Sequence, residues 1–153
     1  LIGHSMGALA IAMRVGDTTS PPVMPEHLVL VSMQSGAPFL VESFEHLFAI
    51  DQRTHAHGLR LFERRFGGAP GKFMALPEGA RIGVPVLLVH DDADDVVPVD
   101  HSRGLLARLP QARLLITHGQ GHSGMLRDPA TLAAIADFLD EPRIDPPDPG
   151  AAE

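Results

Sequence analysis

The sequence predicts an α/β protein with a parallel sheet, and three observations carry that prediction. Short apolar runs rich in β-branched residues recur at 27–33, 85–90 and 112–117, each the length of a strand buried on both faces. Between and around them lie segments that are apolar at helical spacing or apolar nearly all round. The loops joining the two kinds of segment are rich in Gly, Pro, Asp and Ser. Strands alternating with helices give parallel strands flanked by helices.

In chain order, Leu1-Ile2 reads as the end of a strand, and a helix apolar nearly all round follows from about 6 to 15, stopping at Gly16. Three prolines and several hydroxyls make Asp17 to Pro25 a loop, after which 27–33 is the first full strand. Residues 39–78 differ from the rest: six of the seven phenylalanines lie there. Leu40, Phe44, Leu47 and Phe48, then Leu59, Phe62 and Phe66, have helical spacing and predict amphipathic helices at about 39–50 and 53–66. The strand at 85–90 leads into an acidic loop from Asp91 to Pro98, then a helix over about 100–109. The strand at 112–117 leads into a glycine-rich loop. Asp128 and Pro129 supply an N-cap and a first-turn proline for a last helix to about Asp140. Residues 141–153, with four prolines, predict a disordered tail after a body spanning 1–140.

The residues able to carry chemistry lie in three of these loops. Gly3-His4-Ser5-Met6-Gly7 reads G-x-S-x-G between strand and helix. A turn this tight exposes the serine hydroxyl, and glycines at Gly3 and Gly7 let strand and helix approach. The start of the helix puts N–H groups and the positive dipole end beside that hydroxyl. A serine is a poor nucleophile until a base takes its proton, and the base needs an acid to orient it. An acid-rich loop and a histidine in a glycine-rich loop each leave the carboxyl end of a later strand, the side on which parallel sheets build sites.

Gly3 to Gly7 resembles the nucleophile elbow of the α/β-hydrolase family, in which the order along the chain is Ser, Asp or Glu, then His. His90-Asp91-Asp92-Ala93-Asp94-Asp95-Val96-Val97-Pro98 is similar to that family's H-G-x-x-D-x-x-V-P pattern, departing from it at Asp91. The resemblance implies Asp94 as the acid, with Asp95 as the alternative. Gly121-His122 is similar to the family's G-x-G-H and implies His122 as the base. It also implies Met6 as donor of the first oxyanion N–H, and residues 39–78 as a cap inserted after the sixth strand, where Phe44 and Phe48 would touch substrate. A plain packing role is the alternative for those rings. Among the other histidines, His4 is expected to support the turn, His118 lacks the register of His122, and His55 and His57 are two apart and point to different helix faces.

The resemblance covers the chain up to about Leu139 but only the carboxyl-terminal part of the family's fold. The loop that supplies the second oxyanion donor lies outside it. With the fifth strand reduced to Leu1-Ile2, the strand at 27–33 is expected to be an almost bare edge and an aggregation hazard. The implied function is a serine hydrolase acting on carboxylic esters or related acyl compounds. The alternatives are a non-catalytic, truncated relative and a receptor or scaffold on the same fold.

Composition bounds the rest. At 153 residues the chain makes one domain at most. A net charge of −7 argues against nucleic acid and anionic membranes, since no basic stripe is expected to offset it. No apolar run approaches 18 residues, so no membrane span is expected. There is no cysteine, which excludes disulfides and thiolate metal sites. The acidic loop lacks the glycine and distal glutamate of a calcium loop, so no metal is expected, and no organic cofactor is implied. The expected partner is a small acyl substrate. The expected compartment is the cytoplasm, although a chain starting with leucine leaves any preceding targeting segment unseen.

Overall fold

A computed structural model describes residues 1–142 apart from 18, 21, 22, 24, 77–81 and 110. The tail expected to be disordered therefore lies, from residue 143 on, outside the described residues.

Four strands form one parallel sheet in the order of the chain: β1 (Ile2–His4), β2 (Leu28–Val31), β3 (Val86–Asp91) and β4 (Ala112–Thr117). All four carboxyl ends consequently face one edge of the molecule. Every residue of β2 and β3 is buried, as their continuous apolar runs require. Alternate side chains serve opposite faces. Leu28, Leu30, Val86 and Leu88 pack with Ala8, Leu9 and Ala12 of α1 (Met6–Gly16) and with Leu105 of α4 (Asp100–Leu106). Val29, Val31, Leu87 and Val89 pack with Met125 and with Ile135 and Phe138 of α6 (Pro129–Leu139). This is the expected parallel sheet flanked by helices.

Two sequence expectations about the first strand need correction. β2 is not a bare edge: His4 pairs with Val31, Gly3 with Leu30 and Ile2 with Val29, so β1 is the edge, and Ile2 and the preceding Leu1 are about half exposed. The two elbow glycines are also not equivalent. A Cβ on Gly3 would lie 2.7 Å from the Ala8 Cα and 2.8 Å from its nitrogen, so helix and strand meet only because that atom is missing. A Cβ on Gly7 would meet nothing within 4 Å.

The phenylalanine-rich excursion forms a helical hairpin, α2 (Ala37–Phe48) and α3 (Gln52–Phe66). α2 starts two residues earlier than expected because Pro38 is accommodated in its first turn, where no intrahelical N–H is needed. The Asp51 carboxylate accepts from Thr54 N–H at 2.8 Å and caps α3. The hairpin's two ends are held together at its root. Ala37 N–H donates to Phe73 O at 2.8 Å, Ala75 N–H donates to Ser35 O at 2.9 Å, and Gly36 bridges Met74. The outer face of α3 carries Arg53, His57, Arg60 and Arg64, all exposed and spaced to share one side of the helix.

Candidate active site

Ser5 follows β1 directly and precedes α1, with φ 53° and ψ −122°. A non-glycine residue at this φ is strained, and such strain is typical of functional turns. Its hydroxyl makes no cap to α1, so it is left to other partners. Met6 is the first residue of α1, and the N–H groups of a first turn have no intrahelical acceptor.

The acidic loop is built from the inside outward. Asp94 is buried, and its Oδ1 accepts from the N–H groups of Val97 at 2.8 Å and Val96 at 2.9 Å. His122 Nδ1 lies 2.9 Å from Asp94 Oδ2 and 3.1 Å from Oδ1. Since the carboxylate can only accept, His122 carries its proton on Nδ1, leaving the Nε2 lone pair free to take one. Burial alone would raise the Asp94 pKa. The Val97 N–H, His122, the Val96 N–H and Ser32 more than offset this, and the carboxyl lies below its usual range. Asp95 is exposed, and among the described residues it makes none of these bonds.

His90, the first residue of the acidic pattern, is fully buried beneath this loop. Its Nε2 lies 2.7 Å from Val97 O and its Nδ1 2.7 Å from Ser102 Oγ. The carbonyl can only accept, so Nε2 donates to it, and the ring, bonded on its other side to Ser102, clamps the loop to α4.

Asp91, expected in the polar loop, is instead the buried last residue of β3. Its carboxylate accepts from Thr117 Oγ1 at 2.6 Å, Gly121 N–H at 2.9 Å and Ala93 N–H at 3.0 Å. One carboxylate thus joins the acidic loop, the end of β4 and the residue before His122. Burial would raise its pKa, but the Thr117 hydroxyl and the N–H groups of Gly121, Gln120 and Ala93 outweigh it and hold the carboxyl below the usual range. The base loop itself turns through Gly119 and Gly121 at φ 69° and 66°, which explains the glycines of the G-x-G-H pattern. His122 sits in the short α5 (Gly121–Gly124).

The structure therefore brings Asp94 and His122 into contact and sets the elbow next to them: the rings of His4 and His122 lie 4.8 Å apart, and His4 Nε2 lies 2.8 Å from His122 O. Among the described residues, no hydrogen bond joins Ser5 to His122. His118 is exposed and pairs with Asp92, which raises its pKa, and it lies outside the cluster. His55 pairs with Glu45 of α2. No group of three or more possible metal ligands occurs among the described residues, and no helix among them is long and apolar enough to cross a membrane.

Sequence reasoning missed Ser32. It follows β2 in the left-handed region at φ 47°, is fully buried, and turns its hydroxyl toward His122 O at 3.4 Å and toward the Asp94 carboxylate. No sequence pattern marks it. The spacing from His90 to Asp94 did carry the signal for the clamp under the loop.

The family model described as TAP-like protein, one of the α/β-hydrolase models, matches residues 70–150, just over half of the chain. The chain belongs to the α/β-hydrolase family. No curated protein matches its sequence. Solved structures agree with the fold. The esterase Pf2001 of Pyrococcus furiosus superposes with a TM-score of 0.59 at 19% identity, over 90% of this chain and 51% of that one. Rv0554 of Mycobacterium tuberculosis gives 0.57 at 20% identity, over 90% and 64%. Esterase PE8 gives 0.51 at 26% identity, over 91% and 47%. The chain thus spans between about half and two thirds of the length of these α/β hydrolases, and what it contains is a partial α/β-hydrolase fold.

Proposed function

We propose that the protein is a serine hydrolase of carboxylic esters or related acyl compounds, with Ser5 as nucleophile, His122 as base and then acid, and Asp94 as the orienting acid. The observation that carries this reading is the contact of His122 Nδ1 with the buried Asp94 carboxylate at 2.9 Å, beside a strained serine at the end of a parallel strand. Ser5 Oγ attacks the acyl carbonyl while His122 Nε2 takes its proton, and the Met6 N–H stabilises the oxyanion. His122 then gives the proton to the departing alkoxide, and water repeats the sequence to free Ser5. That Pf2001 and PE8 are named esterases agrees with an ester substrate. A substrate does not follow from the fold, so the assay is a panel of p-nitrophenyl esters with amide and thioester analogues.

The hairpin α2–α3 is the lid in this reading. Two features favour a lid over plain packing. Ala37 is the one buried residue of α2, and α3 has none among the described residues, so the hairpin is hardly part of the core. Phe44 and Phe48 stack on each other yet stay 55% and 64% exposed, and Phe44, with Leu40, Leu59 and Phe62, lines an apolar groove of about 400 Å³. An acyl chain would find its apolar surroundings there. Phe48→Ala and Phe44→Ala are expected to lower turnover of long-chain p-nitrophenyl esters several-fold more than that of acetate, while the melting temperature shifts by no more than about 2 °C, since exposed substitutions move stability by about 0.5 kcal/mol. Equal losses at every chain length that track melting temperature would return these rings to a packing role.

A further inference from the structure

We propose that His4 is a positioning residue for His122, holding the base in place from the residue next to the nucleophile. The proposal rests on the reading of Ser5, Asp94 and His122 given above and adds a part to that site. The sequence expectation for His4 was support of the elbow turn. Its side chain reaches further: Nε2 lies 2.8 Å from the carbonyl oxygen of His122, 118 residues away in the chain. A carbonyl can only accept, so His4 carries a proton on Nε2 and donates it. The two rings lie 4.8 Å apart at 49°, so His4 also walls one side of the His122 imidazole.

The position of this bond gives it its effect. His122 is held from the acid side by Asp94, through its ring, and its loop is held from below by Asp91, through the N–H of Gly121. Neither contact reaches the strand that bears Ser5. Among the described residues, the bond from His4 is the hydrogen bond that joins the elbow to the base. His4 ends β1, where it pairs with Val31, and Ser5 N–H donates to Val31 O at 2.9 Å. The donor on His4 is therefore fixed by the same strand pairing that fixes Ser5. Any shift of the elbow carries the His122 backbone with it, which keeps the nucleophile and base in register. Ser32 Oγ, 3.4 Å from the same carbonyl, is a weaker second donor.

Four substitutions separate the hydrogen bond from ring packing and from turn support. His4→Ala removes both donor and ring. His4→Phe keeps a ring without a donor. His4→Gln places an amide N–H near the position of Nε2, whereas His4→Asn places it nearer Nδ1 and short of the carbonyl. The readouts are the rate of Ser5 labelling by diisopropyl fluorophosphate, kcat and KM for a p-nitrophenyl ester, the low-field Nδ1 proton resonance of His122, and the melting temperature. His4→Ala, His4→Phe and His4→Asn are expected to lose about 10²-fold in kcat and labelling rate with KM within about two-fold, the scale of an ångström of misplacement. In the same variants the His122 resonance should broaden or vanish through faster exchange, and His4→Gln should restore both.

Unchanged labelling and an unchanged His122 resonance in His4→Ala would overturn the proposal. So would wild-type rates in His4→Phe, which would assign the effect to packing, or losses in all four variants that simply follow melting temperature. Failure of the wild-type protein to label at Ser5 would instead overturn the hydrolase reading. The His122 resonance would still judge His4 in that case, because it depends on the loop and not on turnover.

Discussion

Ser5→Ala and His122→Ala are each expected to remove about 10⁴-fold or more of ester turnover, with Asp94→Asn close behind at about 10⁴-fold. The three losses have different origins. Without Ser5 there is no acyl-enzyme, and without His122 nothing takes the hydroxyl proton. With Asn at 94 the amide can donate to His122 Nδ1, which stabilises the tautomer carrying its proton on Nε2, the wrong nitrogen for a base. Asn at 94 would also face the N–H groups of Val96 and Val97, which the carboxylate now satisfies. Asp95→Asn is the control: it is exposed, outside the cluster, and expected to change kcat by less than about two-fold. A severe loss at Asp95 with a mild one at Asp94 would reverse the assignment of the acid. Because the residues act as one unit, the double variant Ser5→Ala/His122→Ala should be little worse than either single one.

Asp91→Asn is expected to give the largest stability loss of any single change in the site. The buried carboxylate accepts from three donors on three segments, and an amide in its place points at least one N–H at another donor. Bonds to a charged acceptor contribute about 1.5–3 kcal/mol, and an unsatisfied buried group costs about 1–3 kcal/mol, so a loss of about 3 kcal/mol is a central value. For a chain of this size that corresponds to about 6–12 °C in melting temperature. The pH dependence follows from the direction of the shift. The folded carboxyl lies below the value of about 3.9 expected when unfolded, so its contribution is fully present above pH 5 and is lost as pH falls through the folded value. The gap between wild type and Asp91→Asn should therefore be widest near pH 7 and narrow steadily below pH 4. A constant gap from pH 7 to pH 3 would mean that the ionised carboxylate is not what holds the loops. Thr117→Val, which removes one donor and keeps the shape, should cost about 1 kcal/mol.

The fold was legible because it rests on local, repetitive signals. Leu28 to Val31 and Val86 to Val89 read as strands buried on both faces, and they are. Asp128 was legible as a cap because a carboxylate before Pro129 has one obvious use, and it accepts from Thr131 N–H at 2.8 Å. Ser5, Asp94 and His122 stood out as candidates through their register in three loops at strand ends, and of these Asp94 and His122 lie in contact. What was not legible depends on distant pairing. Asp91 looked like one more charge in an acidic turn, because nothing local reveals that Thr117 and Gly121 converge on it. Ser32 looked like an ordinary strand-end hydroxyl, and its left-handed backbone follows from where β2 delivers it. His4 was assigned to its own turn, since a contact across 118 residues leaves no periodic trace.

The most direct test of the account is covalent labelling of the wild-type protein by diisopropyl fluorophosphate, read by intact mass and peptide mapping. Ser5 Oγ forms the bond to phosphorus, the P–F bond breaks, fluoride leaves, and His122 accepts the hydroxyl proton. The account predicts one diisopropylphosphoryl group per chain on the peptide that contains Ser5, none in Ser5→Ala, and labelling slowed by orders of magnitude in His122→Ala and Asp94→Asn. Labelling that falls on another residue, or that proceeds as fast in His122→Ala as in the wild type, would contradict it.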